Sequence, residues 1–381
     1  MNTEAAELLS ESKPIAAAAK RLGKSSRIAL DSEGDGMFRY RASLCVLQLA
    51  NTEEIVLLDT LAMDDLAPIA ALLGPKGPVK VIHDASFDLR LVREAGMTLS
   101  PVLDTSIMAR FLGETALGLG SLVEKFIGVV LEKSKQQEDW GKRPLSPDHI
   151  RYLEDDVRYL LPLADALWQK VETAGIHDEV AEECAYVVWS ATQPDTGPVK
   201  PVWQRIKGWD KLDERGKAVL REVCLERERL AEARNVPPYR ICSNAALLDL
   251  ARTPPRGRDD WNRMKGVPKP PPLARPLLDA VRRGVSAKRV PDEERPERQP
   301  APAPDERART KKRHTALTKW RAAEAKAREV NEQVVLPGHC LHDLAARGPA
   351  NAKELLDVPG FGAFRVERYG DSVLKALSSA S

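Results

Sequence analysis

The chain has 381 residues, 43% hydrophobic and 30% charged, enough for two or three domains with real cores. No stretch approaches the roughly 18 apolar residues of a membrane span, and the first 24 residues carry Glu4, Glu7 and Glu11 instead of the basic-then-apolar pattern of a secretory signal, so a cytoplasmic protein is expected. The net charge of +2 conceals a division: residues 1–200 hold 21 Lys/Arg against 31 Asp/Glu (net −10), and residues 201–381 hold 37 against 25 (net +12), the balance of an acidic half that can host cations and a basic half suited to a polyanion such as nucleic acid.

In chain order, Arg27 to Asp31 reads as a strand whose last residue opens the triplet Asp31, Ser32, Glu33. Residues i and i+2 of an extended chain share a face, so the two carboxylates point the same way and repel unless a cation lies between them. Strands at Leu44 to Leu49 and Glu54 to Leu58, separated by Asn51 and Thr52, predict an antiparallel meander. Met63 to Leu73 predicts a helix stopped by Gly74-Pro75, and Val79 to His83 a fourth strand. The helical period from Ala85 to Ala95 puts Asp88 in a first turn, where a carboxylate suits the helix dipole. His83, alone beside an apolar strand, reads as a structural hydrogen-bonding residue.

Val102 to Asp104 predicts a fifth strand leading into a helix from Thr105 to Leu112, with another helix at Leu119 to Gly128. The polar loop Glu132 to Pro144 then carries Lys133, Lys142 and Arg143, which can hold phosphates, and Trp140, which can either stack on a base or pin the loop to the core. Pro147 to Leu163 predicts an amphipathic helix, because Ile150, Leu153, Val157, Leu160 and Leu161 recur at helical spacing. Tyr152 and Asp156, four residues apart, stack on one face of it. Three strands followed by alternating helix and strand predict an α/β domain with a mixed sheet.

Gln193 to Pro198 marks a boundary, after which the reading is helical: Leu212 to Arg234, Asn244 to Arg252, Trp261 to Lys265 and Pro276 to Arg283. Ser286 to Lys311, rich in Pro, Arg and Glu, reads as a linker. A second helical unit is expected from near Thr315 to Leu377. Between Arg307 and Arg328 nine Lys/Arg face the single acid Glu324, which makes Lys311, Lys312 and Arg313 candidate phosphate contacts. Val358-Pro-Gly-Phe-Gly-Ala can be a turn near phosphates or a plain helix connection. Five scattered cysteines without a CxxC pair argue against both zinc and a disulfide framework, so no disulfide partner is expected.

Asp31 and Glu33, Asp88, then Tyr152 and Asp156, in that order, resemble the DEDD exonucleases of the tyrosine subgroup. More closely, the chain resembles the ribonuclease D family. Ile28-Ala-Leu-Asp-Ser-Glu33, His83-Asp-Ala-Ser-Phe-Asp88-Leu and Tyr152 to Leu163 are similar to its three exonuclease motifs. Leu103 to Ser106, Lys133-Ser134, Asp139-Trp140 and Arg143-Pro-Leu145 are similar to further segments. Leu212 to Gly284 resembles an HRDC domain, and Lys319 to Leu377 a second, more divergent copy. Asp84 and Phe87 depart from the second motif. Glu154 and Asp155 add acids beside Asp156, which the four-residue spacing from Tyr152 selects. His149 does not fit the histidine subgroup, because Glu154 stands five residues on.

The resemblance implies an RNase H-like α/β mixed-sheet exonuclease domain at 25–195 behind an N-terminal extension at 1–24. Two small all-α HRDC-like bundles follow at 203–285 and 312–381, joined by a linker at 286–311. It implies a two-metal 3′-to-5′ exoribonuclease using Mg²⁺ or Mn²⁺, acting on RNA 3′ ends such as those of tRNA precursors. In that scheme Asp31 bridges both ions, Glu33 and Asp156 complete the water-activating metal, Asp88 supports the second ion, and Tyr152 orients the water. A DNA-directed exonuclease of the same superfamily is the nearest alternative. A non-catalytic RNA-binding scaffold is a third, against which the complete acidic set argues.

Overall fold

The computed structural model describes residues 6–380 except 64, 133, 134, 136, 194–199 and 296–302. The chain divides into two compact units, one of Met1–Gly34, Ser43–Gln193 and Ala301–Ser381, the other of Asp35–Ala42 and Pro194–Pro300. No described helix is long and apolar enough to cross a membrane.

The first unit is built on β1 (Leu8–Leu9), α1 (Ser12–Leu22), β2 (Arg27–Gly34), β3 (Leu44–Ala50), β4 (Ile55–Asp59), α2 (Ala67–Leu73), β5 (Val79–Ile82), α3 (Ser86–Glu94), β6 (Val102–Asp104), α4 (Thr105–Phe111), α5 (Leu119–Ile127), α6 (Pro147–Arg158), α7 (Leu160–Thr173) and α8 (His177–Thr192). The strands form one mixed sheet in the order β1-β4-β3-β2-β5-β6. β2, β3 and β4 make the antiparallel meander, and β5 and β6 add in parallel. β3 is buried along its whole length, which fits its nearly unbroken apolar sequence. One core cluster joins Ala29, Ala50 and Val81 of the sheet to Val157 of α6 and to Leu160, Leu163 and Leu167 of α7.

Of the expected extension at 1–24, the described residues 6–24 pack into this unit. β1 pairs in parallel with β4, and α1 packs on α2 through Ile15, Ala18 and Leu22. The helix predicted over Pro147 to Leu163 is two helices, divided at Tyr159, where ψ is near zero.

The second unit holds α9 (Glu214–Arg234), α10 (Pro238–Ile241), α11 (Asn244–Arg252), α12 (Arg258–Arg263) and α13 (Pro271–Ala287) around buried Trp203, Trp261, Val219, Leu247 and Leu277. α13 lies against α9 at Gly284, where a Cβ would fall 2.4 Å from the Val219 Cα. The loop joining β2 to β3 belongs here: the Tyr239 hydroxyl donates to the Met37 carbonyl at 2.9 Å, and Arg240 lies over Phe38.

The chain re-enters the first unit with α14 (Pro304–Arg328), α15 (Glu332–Val335), α16 (Gly338–Arg347), α17 (Ala352–Leu356) and α18 (Ala363–Ser378). α14 starts eleven residues before the expected Thr315 and takes up part of the expected linker. Its first turns are held by charge, Glu306 pairing with Arg309 and Arg313, a pattern that apolar periodicity does not register.

Candidate active site

Alternation along β2 sends Asp31 and Glu33 to one face of the sheet and Ser32 to the other. The strand runs past its expected end at Asp31 to Gly34, so both carboxylates stand on a rigid element. At Gly34 a Cβ would lie 3.0 Å from Leu91, so this glycine lets α3 come close to β2 one turn beyond Asp88. Asp88 is buried, and its carboxylate accepts from the Ser32 hydroxyl.

The turn into α3 is fixed by Asp104. Asp84 has a left-handed φ of 59°, uncommon outside glycine. The Asp104 carboxylate accepts from the Asp84 and Ala85 amides at 3.1 and 2.9 Å, and from the Ser106 amide at 2.7 Å. His83 meets the Thr105 hydroxyl at 2.8 Å, a structural hydrogen bond, and burial holds its imidazole below the usual range.

α6 is capped by Ser146, whose hydroxyl accepts from the His149 amide while the Ser146 amide donates to the His149 ring. His149 is thereby a capping residue. Further along α6, Tyr152 and Asp156 share the face turned toward the sheet. The extra acids lie elsewhere: Glu154 pairs with Arg158 at 2.9 Å and accepts from the Ala6 amide, and Asp155 also pairs with Arg158.

Asp31, Glu33 and Asp156 each offer a carboxylate oxygen, all within 4.8 Å of one another, a group able to hold a metal ion. Asp88 stands outside that group but near enough to be raised by the charge of Asp31. Burial pushes the Asp31 carboxyl up to about 6. Burial, then the charges of Asp31, Asp156 and Asp88, push Glu33 up to about 10. Asp88 and Asp156 are driven up by burial first and Asp31 second. Crowded carboxylates resist ionising together unless a cation compensates them. The donor set fits a hard cation: it is all oxygen, and Asp156 Oδ2 is buried with no hydrogen-bond partner among the described residues.

Trp140 lies under this site with 2% of its surface exposed. It stacks on Tyr152 at 5.7 Å between ring centroids and meets His149 edge-on. Of its two expected roles, the structure gives it that of pinning the loop, since no face is open to a base. Arg143 is equally committed: its guanidinium reaches both oxygens of Asp59 at 2.6 and 2.7 Å, the Cys45 carbonyl at 3.0 Å and the Trp140 carbonyl at 2.8 Å. Lys142 is exposed, and Lys133 lies outside the described residues. On α14, Lys311 and Lys312 are exposed, whereas Arg313 pairs with Glu306 and the Ala346 carbonyl. Sequence reasoning missed Asp59, Asp104 and Ser32, whose roles depend on partners far along the chain.

The Val358 to Gly362 turn is covered by α8. Glu182 accepts from the Phe364 amide and pairs with Arg365, both at 2.8 Å, and His339 stacks on Tyr186 beside Gly360. An internal carboxylate thus takes the place where a phosphate was one expectation.

Residues 7–172 match the family model for 3′-5′ exonucleases, and residues 216–271 and 311–377 match that for the HRDC domain. The chain is 32% identical over 267 residues to Ribonuclease D of Sphingobium indicum, a span covering 68% of this chain and 67% of that protein. It is 29% identical over 377 residues to Ribonuclease D of Acidiphilium cryptum, covering 97% and 92%. The structure is similar to that of Escherichia coli RNase D, an exoribonuclease involved in structured RNA processing, with a TM-score of 0.71 at 23% identity over 100% of this chain and 99% of that one. A protein from Bifidobacterium adolescentis gives a TM-score of 0.78 at 21% identity over 98% and 97%. At such identities the structural likeness speaks for the fold.

Proposed function

The chain belongs to the ribonuclease D family of 3′-to-5′ exoribonucleases, and from that premise we propose that Asp31, Glu33, Asp88, Asp156 and Tyr152 form the site that removes nucleoside 5′-monophosphates from RNA 3′ ends. The observation that carries this reading is the meeting of three carboxylates from β2 and α6 within 4.8 Å. Two divalent cations, Mg²⁺ or Mn²⁺, held by the four acids would stabilise the attacking and leaving oxygens of phosphodiester cleavage.

The chain's own side chains do the positioning. Asp31 and Glu33 are fixed by the ladder of β2 with β3. Ser32 and the Asp104-held turn aim Asp88. Burial, then the charges of Asp156, Glu33 and Asp31, push the Tyr152 phenol up, so it stays protonated at neutral pH. A neutral phenol gives and accepts hydrogen bonds, so it orients a water and does not deprotonate it. The stacked Trp140 fixes the plane of its ring.

The substrate is taken to be structured RNA with a single-stranded 3′ end, tRNA precursors being one such class, and the site of action the cytoplasm. Exposed Lys142, Lys311 and Lys312 are the proposed phosphate contacts, together with Lys133. Arg143, Arg313 and Trp140 support the fold in this reading. Matched RNA and DNA oligonucleotides, labelled at the 3′ or the 5′ end, test it. The expectation is immediate release of 3′ label as mononucleotide, stepwise shortening of 5′-labelled RNA, slower loss of DNA and arrest by EDTA. Faster digestion of DNA would favour the DNA-directed alternative, and binding without cleavage the scaffold.

A further inference from the structure

The strand beside Asp31 carries a side chain that the scheme above leaves without a task. β3 reads Leu-Cys-Val-Leu-Gln-Leu-Ala, and Gln48 is the polar exception in it. Gln48 pairs directly with Asp31 across the antiparallel ladder, so both side chains leave the same face of the sheet. Val46 and Ala50 share that face by the two-residue period. Val46 packs in one cluster with Leu153, and Ala50 in another with Val157. Gln48 therefore lies on the strip of sheet covered by the turn of α6 that carries Asp156.

Gln48 is completely buried, and neither its amide nitrogen nor its amide oxygen has a hydrogen-bond partner among the described residues. Asp156 Oδ2 is buried and unpartnered among them too. An amide brings two donors and an acceptor oxygen, and burying them unpaired costs stability that an apolar residue of similar volume would not. A donor without an acceptor and an acceptor without a donor thus belong to facing layers of one site. The donor is also neutral. A lysine here would compensate a carboxylate and compete with a cation, whereas an amide can hold a carboxylate in place and leave its charge available.

We propose that Gln48 is a positioning residue of the cation site, its Nε2 donating to the Asp156 carboxylate when divalent cations gather the acids. This rests on the reading of Asp31, Glu33 and Asp156 as cation ligands. It makes the amide a burden in the cation-free protein and a support in the loaded one, and those opposite signs are measurable.

The test is calorimetric titration of the full-length protein with Mn²⁺ alone, with melting temperatures in EDTA, for the wild type, Gln48→Met and Gln48→Leu. Both variants are expected to melt at or above the wild type in EDTA and to bind Mn²⁺ roughly 10- to 100-fold more weakly. Unchanged Mn²⁺ affinity in a folded variant would overturn the role. So would a lower melting temperature for both variants in EDTA, the mark of an amide that only supports the fold. A wild type that takes up no Mn²⁺ would overturn the cation-site reading itself, and the role of Gln48 with it.

Discussion

Asp31 concentrates the electrostatic problem of the site in one residue. Its carboxyl is raised from an ordinary 3.8 to about 6 by burial, so the folded protein binds that proton more tightly than the unfolded chain. The stability this contributes is complete below about pH 3.8 and is lost as pH rises through about 6. In EDTA at pH 8, Asp31→Asn should therefore melt a few degrees above the wild type, at about 2–4 °C per kcal/mol for a unit of this size. The gain should vanish at pH 4; a lower melting temperature at pH 8 would contradict it. Strand and helix periods put Asp31 with Glu33, and Tyr152 with Asp156, on shared faces, and the resemblance to the DEDD exonucleases implied that the two pairs belong to one site. For Trp140 the sequence left two roles open, because a loop of Lys, Glu and Gln does not say whether its tryptophan meets a base or is buried against a tyrosine. Gln48 was not legible in the sequence, because the cost of an unpaired amide depends on what surrounds it in space.

At the scale of elements, the meander, the strand-to-helix order and the positions of β5, β6 and α3 follow from apolar periodicity and turn residues. The division of Pro147 to Leu163 into α6 and α7 does not, since the apolar spacing continues across Tyr159 while the backbone turns. α1 was hidden by its run of alanines, which carry little apolar pattern. The seating of α18 on α8 was hidden because it is made by charge. Arg365, fully buried, pairs with Glu182 at 2.8 Å and donates to the Val334 carbonyl at 3.1 Å, and Arg328 pairs with buried Glu179 at 2.7 Å. Removing Arg365 leaves Glu182 charged, mostly shielded from water and without its cation. Arg365→Ala should lower the unfolding free energy by about 3–5 kcal/mol in denaturant titrations; a loss under about 1 kcal/mol would mean that the pair is solvated.

For the whole molecule, the opposition of an acidic first half and a basic second half acquires a different meaning. Part of the C-terminal positive charge is spent inside the first unit, on Glu179 and Glu182 of α8, through Arg328 and Arg365. Exposed residues such as Lys311 and Lys312 remain as candidates for RNA. If the carboxylates of β2 and α6 carry the exonuclease chemistry, neutralising one of them should stop it. The most direct test is the release of the 3′-terminal nucleotide from single-stranded RNA under Mg²⁺ by Asp156→Asn, purified in parallel with the wild type and free of contaminating nuclease. The variant should fold and be slowed by at least about 10³-fold, as expected when several kcal/mol of transition-state stabilisation are lost. A folded variant that releases nucleotide at close to the wild-type rate would contradict that role for the carboxylates.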